Sequence, residues 1–483
     1  MIRTLLVTAV TFTLIACVPQ QQWRKKPFYA PESPATNVEE RFVIPPDLSA
    51  NRIYSLAFVE FNNKGELDDK RQLDEALRAI DDADRRSNHR ALVIAFVHGW
   101  KNNARETNNN VLDFRKQLNR IAADACENDL AHCGVVGVYL SWNGDLISRG
   151  FNTLRQMTYF DRRNTAARVA SVPIGDALFA IMKHTKHGPE RKTNHTVVVG
   201  HSFGGLILEY AIAKRMIDLG DELRAELGRN RTSDAVTLKV LDEFADLVVL
   251  INQAAPAAEA VRLLTEYRED LRQVNLLRPA RKQDCAASDT DQDCKTLTRP
   301  LILSVSSETD LATRTILPIA ETLKPPPNHP KKLDPRVKEK LPKGLDEKKV
   351  FTTAAGHSSP LYSHELIECD KGDCKPCEKR DKFYIPIAIT LPAYAPSNST
   401  NVDQSVKYCL VRDFKAWNRT PYWIFHIPPK IVPDHGTIFT DRFTDFLTAF
   451  MPPLESFRVS QPVPPPPAMQ QLRRAVSPGA SFQ

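Results

Sequence analysis

Residues 200–204 read Gly-His-Ser-Phe-Gly, a serine with glycine two residues away on either side. A β-branched run, Thr196 to Val199, leads into this stretch, and an apolar helical pattern begins at Leu206. Strand, sharp turn and helix with a serine at the apex is the geometry of a nucleophile elbow. A serine held there takes strained backbone angles, and its neighbours approach so closely that Gly200 and Gly204 leave no room for side chains. The turn would lift the Ser202 hydroxyl above the carboxyl edge of a sheet, at a helix N-terminus where backbone N–H groups favour developing negative charge. The chemistry implied is attack of Ser202 on an acyl carbonyl. With only 18 glycines in 483 residues, chance is the poorer account of this spacing.

A nucleophilic serine needs an oxyanion site, a carboxylate and a base. The continuous apolar run Ala91–Val97 suits a strand buried on both faces and ends in His98-Gly99-Trp100. The N–H groups of Trp100 and Phe203 are the expected oxyanion donors. The carboxylate should follow a later strand. Pro300–Ser306 reads as that strand, and Glu308 and Asp310 come just after it. Asp310 would serve equally as a helix N-cap. In the chain order Ser, Asp, His, the base comes last. His435 lies in a strand-end loop, Ile431–Phe439, ahead of an apolar-periodic segment, Phe443–Phe450. His357, in Ala354-Ala-Gly-His-Ser358, is its competitor, whereas His98, His201, His364 and His426 read as structural or loop residues.

Taken together, Phe96-Val-His-Gly-Trp100, Val138-Tyr-Leu-Ser-Trp142 and Gly200-His-Ser-Phe-Gly204 resemble the α/β-hydrolase fold. More narrowly, the chain is similar to a sparsely characterised bacterial group with an H-G-[YW] strand end, an aromatic-S-W strand and an H-S-x-G elbow. The resemblance spans residues 51–320 and 421–451. It implies Asp310 as the triad carboxylate, His435 as the base, and acyl-ester hydrolysis through an acyl-enzyme with no metal or organic cofactor. The group has Pro after the strand Trp where this chain has Asn143, so the shape of that loop does not carry over. A thioesterase or acyltransferase would use the same residues, and a non-catalytic envelope scaffold is the reading from a different class.

The elements that must position these residues alternate along the chain. Strands are expected at 53–60, 91–97, 135–141, 195–199, 246–252 and 300–306, and helices at about 106–126, 163–186 and 205–218. That order predicts an α/β fold, a mostly parallel sheet flanked by helices with right-handed crossovers, carrying large insertions that form a candidate cap. The expected organisation is a lipoprotein signal peptide (1–16), a lipidated tether (17–50) and the core (51–320). A Pro/Lys-rich linker with a Cys-containing insertion follows (321–420). The end of the core with His435 (421–453) and a Pro-rich tail (454–483) complete the chain.

Arg3, the apolar run Thr4–Ile15 and Leu14-Ile-Ala-Cys17 have the order of a secretory signal ending in a bacterial lipobox. Acylated Cys17 would anchor the protein to a membrane of the cell envelope, the outer membrane favoured because Val18 rather than Asp follows. Lipidation would leave eight of the nine cysteines to pair in an oxidising compartment. Cys126 with Cys133 and Cys285 with Cys294 are close in sequence. Cys369, Cys374, Cys377 and Cys409 read as two disulfides, with an iron–sulfur or zinc site as the alternative. The net charge of +7 is spread over scattered residues and suggests no nucleic-acid partner. Arg24-Lys-Lys26 reads as part of a solvated linker, with anionic lipid as the other option.

Overall fold

Apolar runs six to eight residues long, with no polar alternation, suit strands covered on both faces. In the computed structural model they form such strands. It describes residues 22–24, 38–43, 51–126, 132–145, 159–170, 173–186, 190–227, 244–266, 300–323, 332–369, 374–375, 385–389, 406–413 and 420–451. The main sheet is built from β1 (Val38–Val43), β2 (Asn51–Phe61), β3 (Leu92–Val97), β4 (Val135–Trp142), β5 (His195–His201), β6 (Leu247–Ile251), β7 (Ile302–Ser307) and, after a long excursion, β11 (Tyr422–Ile427). Its order is β1-β2-β4-β3-β5-β6-β7-β11. Seven strands run parallel, and β1 pairs antiparallel with β2 at one edge.

Helices cover both faces. On one lie α1 (Lys70–Arg86), α3 (Tyr159–Val169), α4 (Pro173–Lys186), α5 (Phe203–Leu227) and α6 (Ala258–Glu266), sharing a core with the alternate side chains Val93, Ala95 and Val97 of β3. On the other, α2 (Asn109–Ala125) and α10 (Asp441–Phe450) pack on Leu92, Ile94 and Phe96. The caps are side-chain oxygens: Asp69 accepts from Arg71 N–H, Asn108 from Asn110 N–H and Thr440 from Phe443 N–H. Among the described residues no single helix is long and apolar enough to cross a membrane.

Several expectations change here. The helix expected over 163–186 is two, α3 and α4, with Pro173 at the first position of the second, where its missing N–H costs nothing. Helix α1 was not anticipated, since the residues it buries are three alanines (Ala76, Ala79 and Ala83), the polar Gln72 and Asp84, and only one large apolar side chain, Ile80. Within 17–50, expected as a tether, residues 22–24 and 38–43 are described. Trp23 and Arg24 dock on the body, Arg24 is only 1% exposed, and residues 38–43 form β1. Burial of Arg24 also corrects its placement in a solvated linker.

The insertion after β7 holds α7 (Leu317–Leu323), α8 (Pro335–Glu339) and α9 (Glu347–Thr352). A separate antiparallel sheet in the order β8-β10-β9 follows, from β8 (His364–Glu368), β9 (Ile385–Ile389) and β10 (Val406–Arg412). That sheet shares the core of α2 and α10 through Ile387, Tyr408 and Leu410. Disulfides join Cys126 to Cys133 and Cys369 to Cys374, and Cys409 is also disulfide-bonded. Pairing of Cys369 with Cys374 takes two of the four thiols that a metal or cluster would need. Cys17, Cys285, Cys294, Cys377 and the 454–483 tail lie outside the described residues.

Candidate active site

Ser202 sits where β5 turns into α5, with φ of 55°, a left-handed conformation costly for a residue with a Cβ. The crowding around it explains the glycines. A Cβ on Gly204 would lie 2.0 Å from the Val97 carbonyl oxygen, one on Gly200 2.7 Å from the Gly204 oxygen, and one on Gly99 2.8 Å from Ser202 Cβ. The elbow can form only with all three bare.

The three residues expected to act together are brought together. His435 Nε2 lies 2.8 Å from Ser202 Oγ, and its Nδ1 is 3.0 Å from both Asp310 oxygens. Ser202 follows β5, Asp310 follows β7 and His435 follows β11, so the carboxyl edge of the parallel sheet gathers residues separated by up to 233 positions. Asp310 is fully buried and His435 is 28% exposed at its side chain. Asp310 also accepts from the N–H groups of Ala312 (2.9 Å) and Thr313 (3.2 Å), as an N-cap does. The same carboxylate thus faces His435 on one side and the first N–H groups of the following segment on the other. Burial pushes Asp310 upward, but the bonds and charge of His435 with those of Thr313 outweigh it and hold the carboxyl below its usual value. Glu308, the rival, is exposed, and its carbonyl accepts from Arg314.

His357 does not reach Ser202. It lies behind Asp310, its Nε2 2.9 Å from Thr313 Oγ1, and that hydroxyl donates to Asp310 Oδ2. His357 Nδ1 is 3.1 Å from His426 Nε2, which is also 2.6 Å from the Tyr362 hydroxyl. One assignment satisfies the chain: His426 donates to His357, His357 to Thr313, and Thr313 to Asp310. Each donor is thus aimed toward the carboxylate. Burial, then the neighbouring His426, pushes His357 down to about 4, so this relay is neutral imidazole.

The loop that carries His435 is held from below by groups that the spacing of motifs did not reveal. His201 Nε2 donates to the His435 carbonyl at 2.7 Å, and the Asn252 amide donates to the carbonyls of Asp434 and His435. Ser307 Oγ donates to Val432 and Thr309 Oγ1 to Pro433, both at 2.6 Å. Asn252 has φ of 47° at the end of β6 and also accepts from Ser307 N–H. A polar residue after an apolar strand, as at Asn252 and Ser307, was the available signal.

His98 is buried, and desolvation pushes it down to about 4. Its Nδ1–H donates to the Gly99 carbonyl, and Nε2 accepts from the N–H of Trp142 and faces Ser141 Oγ at 3.0 Å. The indole N–H of Trp142 returns to the His98 carbonyl at 2.8 Å. The His-Gly and Ser-Trp motifs are therefore two halves of one hydrogen-bonded turn. Asn143, in place of the proline, accepts from Arg162 through its carbonyl at 2.7 Å, and Gly144 accepts from Lys101 N–H.

A cavity of about 930 Å³ opens over Ser202 and His435. Trp100, Tyr159 and Phe203 form an aromatic wall, with the Tyr159 ring 5.5 Å from Trp100 and 5.4 Å from Phe203. Ile316, Ile319 and Leu323 form an aliphatic wall, while Lys101, Asn102, Asn109 and Asp113 make another side polar. Both expected oxyanion residues line this space. Phe203 is the first residue of α5, where N–H groups have no intrahelical acceptor. Of the described residues in the 321–420 insertion, Leu323 lines the cavity and none of 332–413 does. No protein family, curated protein or solved structure matches the chain.

Proposed function

We propose that this chain is a serine hydrolase of the α/β-hydrolase fold that cleaves a carboxylic ester. The observation that carries the reading is the unbroken hydrogen-bond series from Ser202 Oγ through His435 to Asp310, on an elbow with φ of 55° at a helix N-terminus. Ser202 Oγ attacks the acyl carbonyl as its proton passes to His435 Nε2. Asp310 keeps the remaining proton on Nδ1 and stabilises the imidazolium. The oxyanion is received by the N–H groups of Phe203 and Trp100. Collapse expels the alcohol, which takes the proton from His435, and water then releases the acid by the same steps in reverse. A second acceptor in place of water would make the enzyme an acyltransferase with no change of residues.

The cavity supports an ester with a sizeable apolar acyl part. Its lining combines aliphatic and aromatic side chains with amide and charged groups, which suits an amphiphilic substrate. Cys17 is proposed as the acylated residue that anchors the enzyme in the cell envelope. Fluorophosphonate labelling with intact-mass readout tests the nucleophile. One adduct on the parent chain and none on Ser202→Ala is expected, together with loss of ester hydrolysis in that variant. An adduct of equal stoichiometry on Ser202→Ala overturns the reading.

A further inference from the structure

The docked N-terminal segment and the most exposed large apolar side chains among the described residues lie on the same, carboxyl edge of the sheet. The N–H groups of Trp23 and Arg24 each donate to a Glu60 carboxylate oxygen at 2.8 Å, near the carboxyl end of β2. Arg24 Nε donates to the Ala104 carbonyl at 2.9 Å, its guanidinium sits 3.8 Å over the Phe58 ring, and Arg105 sits 4.3 Å over Trp23. Ala104 and Arg105 belong to the loop after β3, and Trp100, Lys101 and Asn102 of that loop line the cavity. The chain therefore joins the body on the edge that carries Ser202.

On the same edge, the segment after Asp310 leaves Leu311, Ile316, Ile319 and Leu323 67%, 55%, 56% and 75% exposed. The last three also line the cavity. Large apolar side chains clustered at the opening of a cavity lose free energy in water and gain it at a lipid surface.

Only six peptide steps separate Cys17 from Trp23, a contour of at most roughly 21 Å. An acyl group on Cys17 would hold Trp23, and with it the edge on which it docks, within that distance of the membrane.

We infer that the carboxyl edge of the sheet docks on a phospholipid bilayer. Leu311, Ile316, Ile319 and Leu323 sit at the interface, and the cavity opens toward it. The substrates are then acyl esters that enter from the membrane. The substrate half of this inference rests on Ser202 as nucleophile and the docking half on acylation of Cys17; the orientation itself needs no turnover.

The test uses the full chain, purified with its anchor and reconstituted on phosphatidylethanolamine–phosphatidylglycerol vesicles containing a brominated acyl chain. Tryptophan is introduced singly by Leu311→Trp, Leu323→Trp and, at the opposite edge where α1 ends beside the start of β4, Arg85→Trp. At the first two positions the added emission should shift to the blue and lose about half its intensity to the bromolipid. At Arg85→Trp it should do neither. Equal behaviour of all three overturns the docking, as does an intact mass without acyl groups on Cys17. Absence of fluorophosphonate labelling with the quenching pattern intact would instead remove the hydrolase reading and leave the orientation standing.

Discussion

Asp310 receives more hydrogen bonds than a triad carboxylate needs, and each has a measurable share. Asp310→Asn keeps the shape but no longer fixes the Nδ1 proton of His435, so kcat should fall by about 10⁴. Thr313→Val removes the hydroxyl that links Asp310 to His357. A loss of about one neutral hydrogen bond predicts a roughly tenfold lower kcat with KM unchanged, and Thr313→Ser should restore it. Stability carries the same signature. The Asp310 carboxyl is held below its usual value, so its contribution is present above the ordinary carboxylate range and is lost as pH falls through the lowered one. Acid titration of the melting temperature should therefore be shallower in Asp310→Asn than in the parent chain.

The aliphatic wall of the cavity depends on how α7 is pinned. Arg163 of α3 pairs with Glu321 of α7 at 2.9 Å, both side chains 1% exposed. Burial pushes Glu321 up to about 7 even though Arg163 draws it down. Arg163→Ala would strand the acid and cost about 3–5 kcal/mol in urea unfolding. The loss should grow as pH rises, because a raised carboxyl contributes stability only while it keeps its proton. Elements of this kind were unevenly legible in the sequence. Six of the parallel strands were readable because both-face burial leaves little polar alternation, and each of those six lies within two residues of its expected bounds at either end, whereas β11 and the edge strand β1 had no expected bounds. The break at Pro173 was readable but passed over, and α1 hid behind its alanines. The β8-β10-β9 sheet, the Thr313–His357 link and the Asn252 support arise from pairings between distant segments, which no local pattern encodes.

For the molecule as a whole, Trp23 and Arg24, shortly after the expected lipidation site, are part of the folded body. Glu60 is buried, and burial raises its carboxyl despite the N–H groups of Trp23 and Arg24, the Gln72 amide and the Arg24 charge. Arg24→Ala should cost about 3–5 kcal/mol in denaturant unfolding and make the chain ahead of β1 accessible to protease. Composition alone reads this stretch as linker, since a glutamine-, proline- and charge-rich segment looks soluble wherever it is. What escaped the sequence was the long-range partner that gives Arg24 a reason to be buried. The juxtaposition of Ser202, His435 and Asp310, by contrast, was legible in the sequence, because an elbow, a strand end and a late histidine each leave a local mark.

The left-handed backbone at Ser202 has one more implication. The position would relax with a residue that lacks a Cβ, so Ser202→Gly should raise the melting temperature while removing the hydroxyl on which the proposed reaction depends. A gain in heat resistance purchased with loss of turnover would mark this turn as a place where selection has held the fold short of its own optimum.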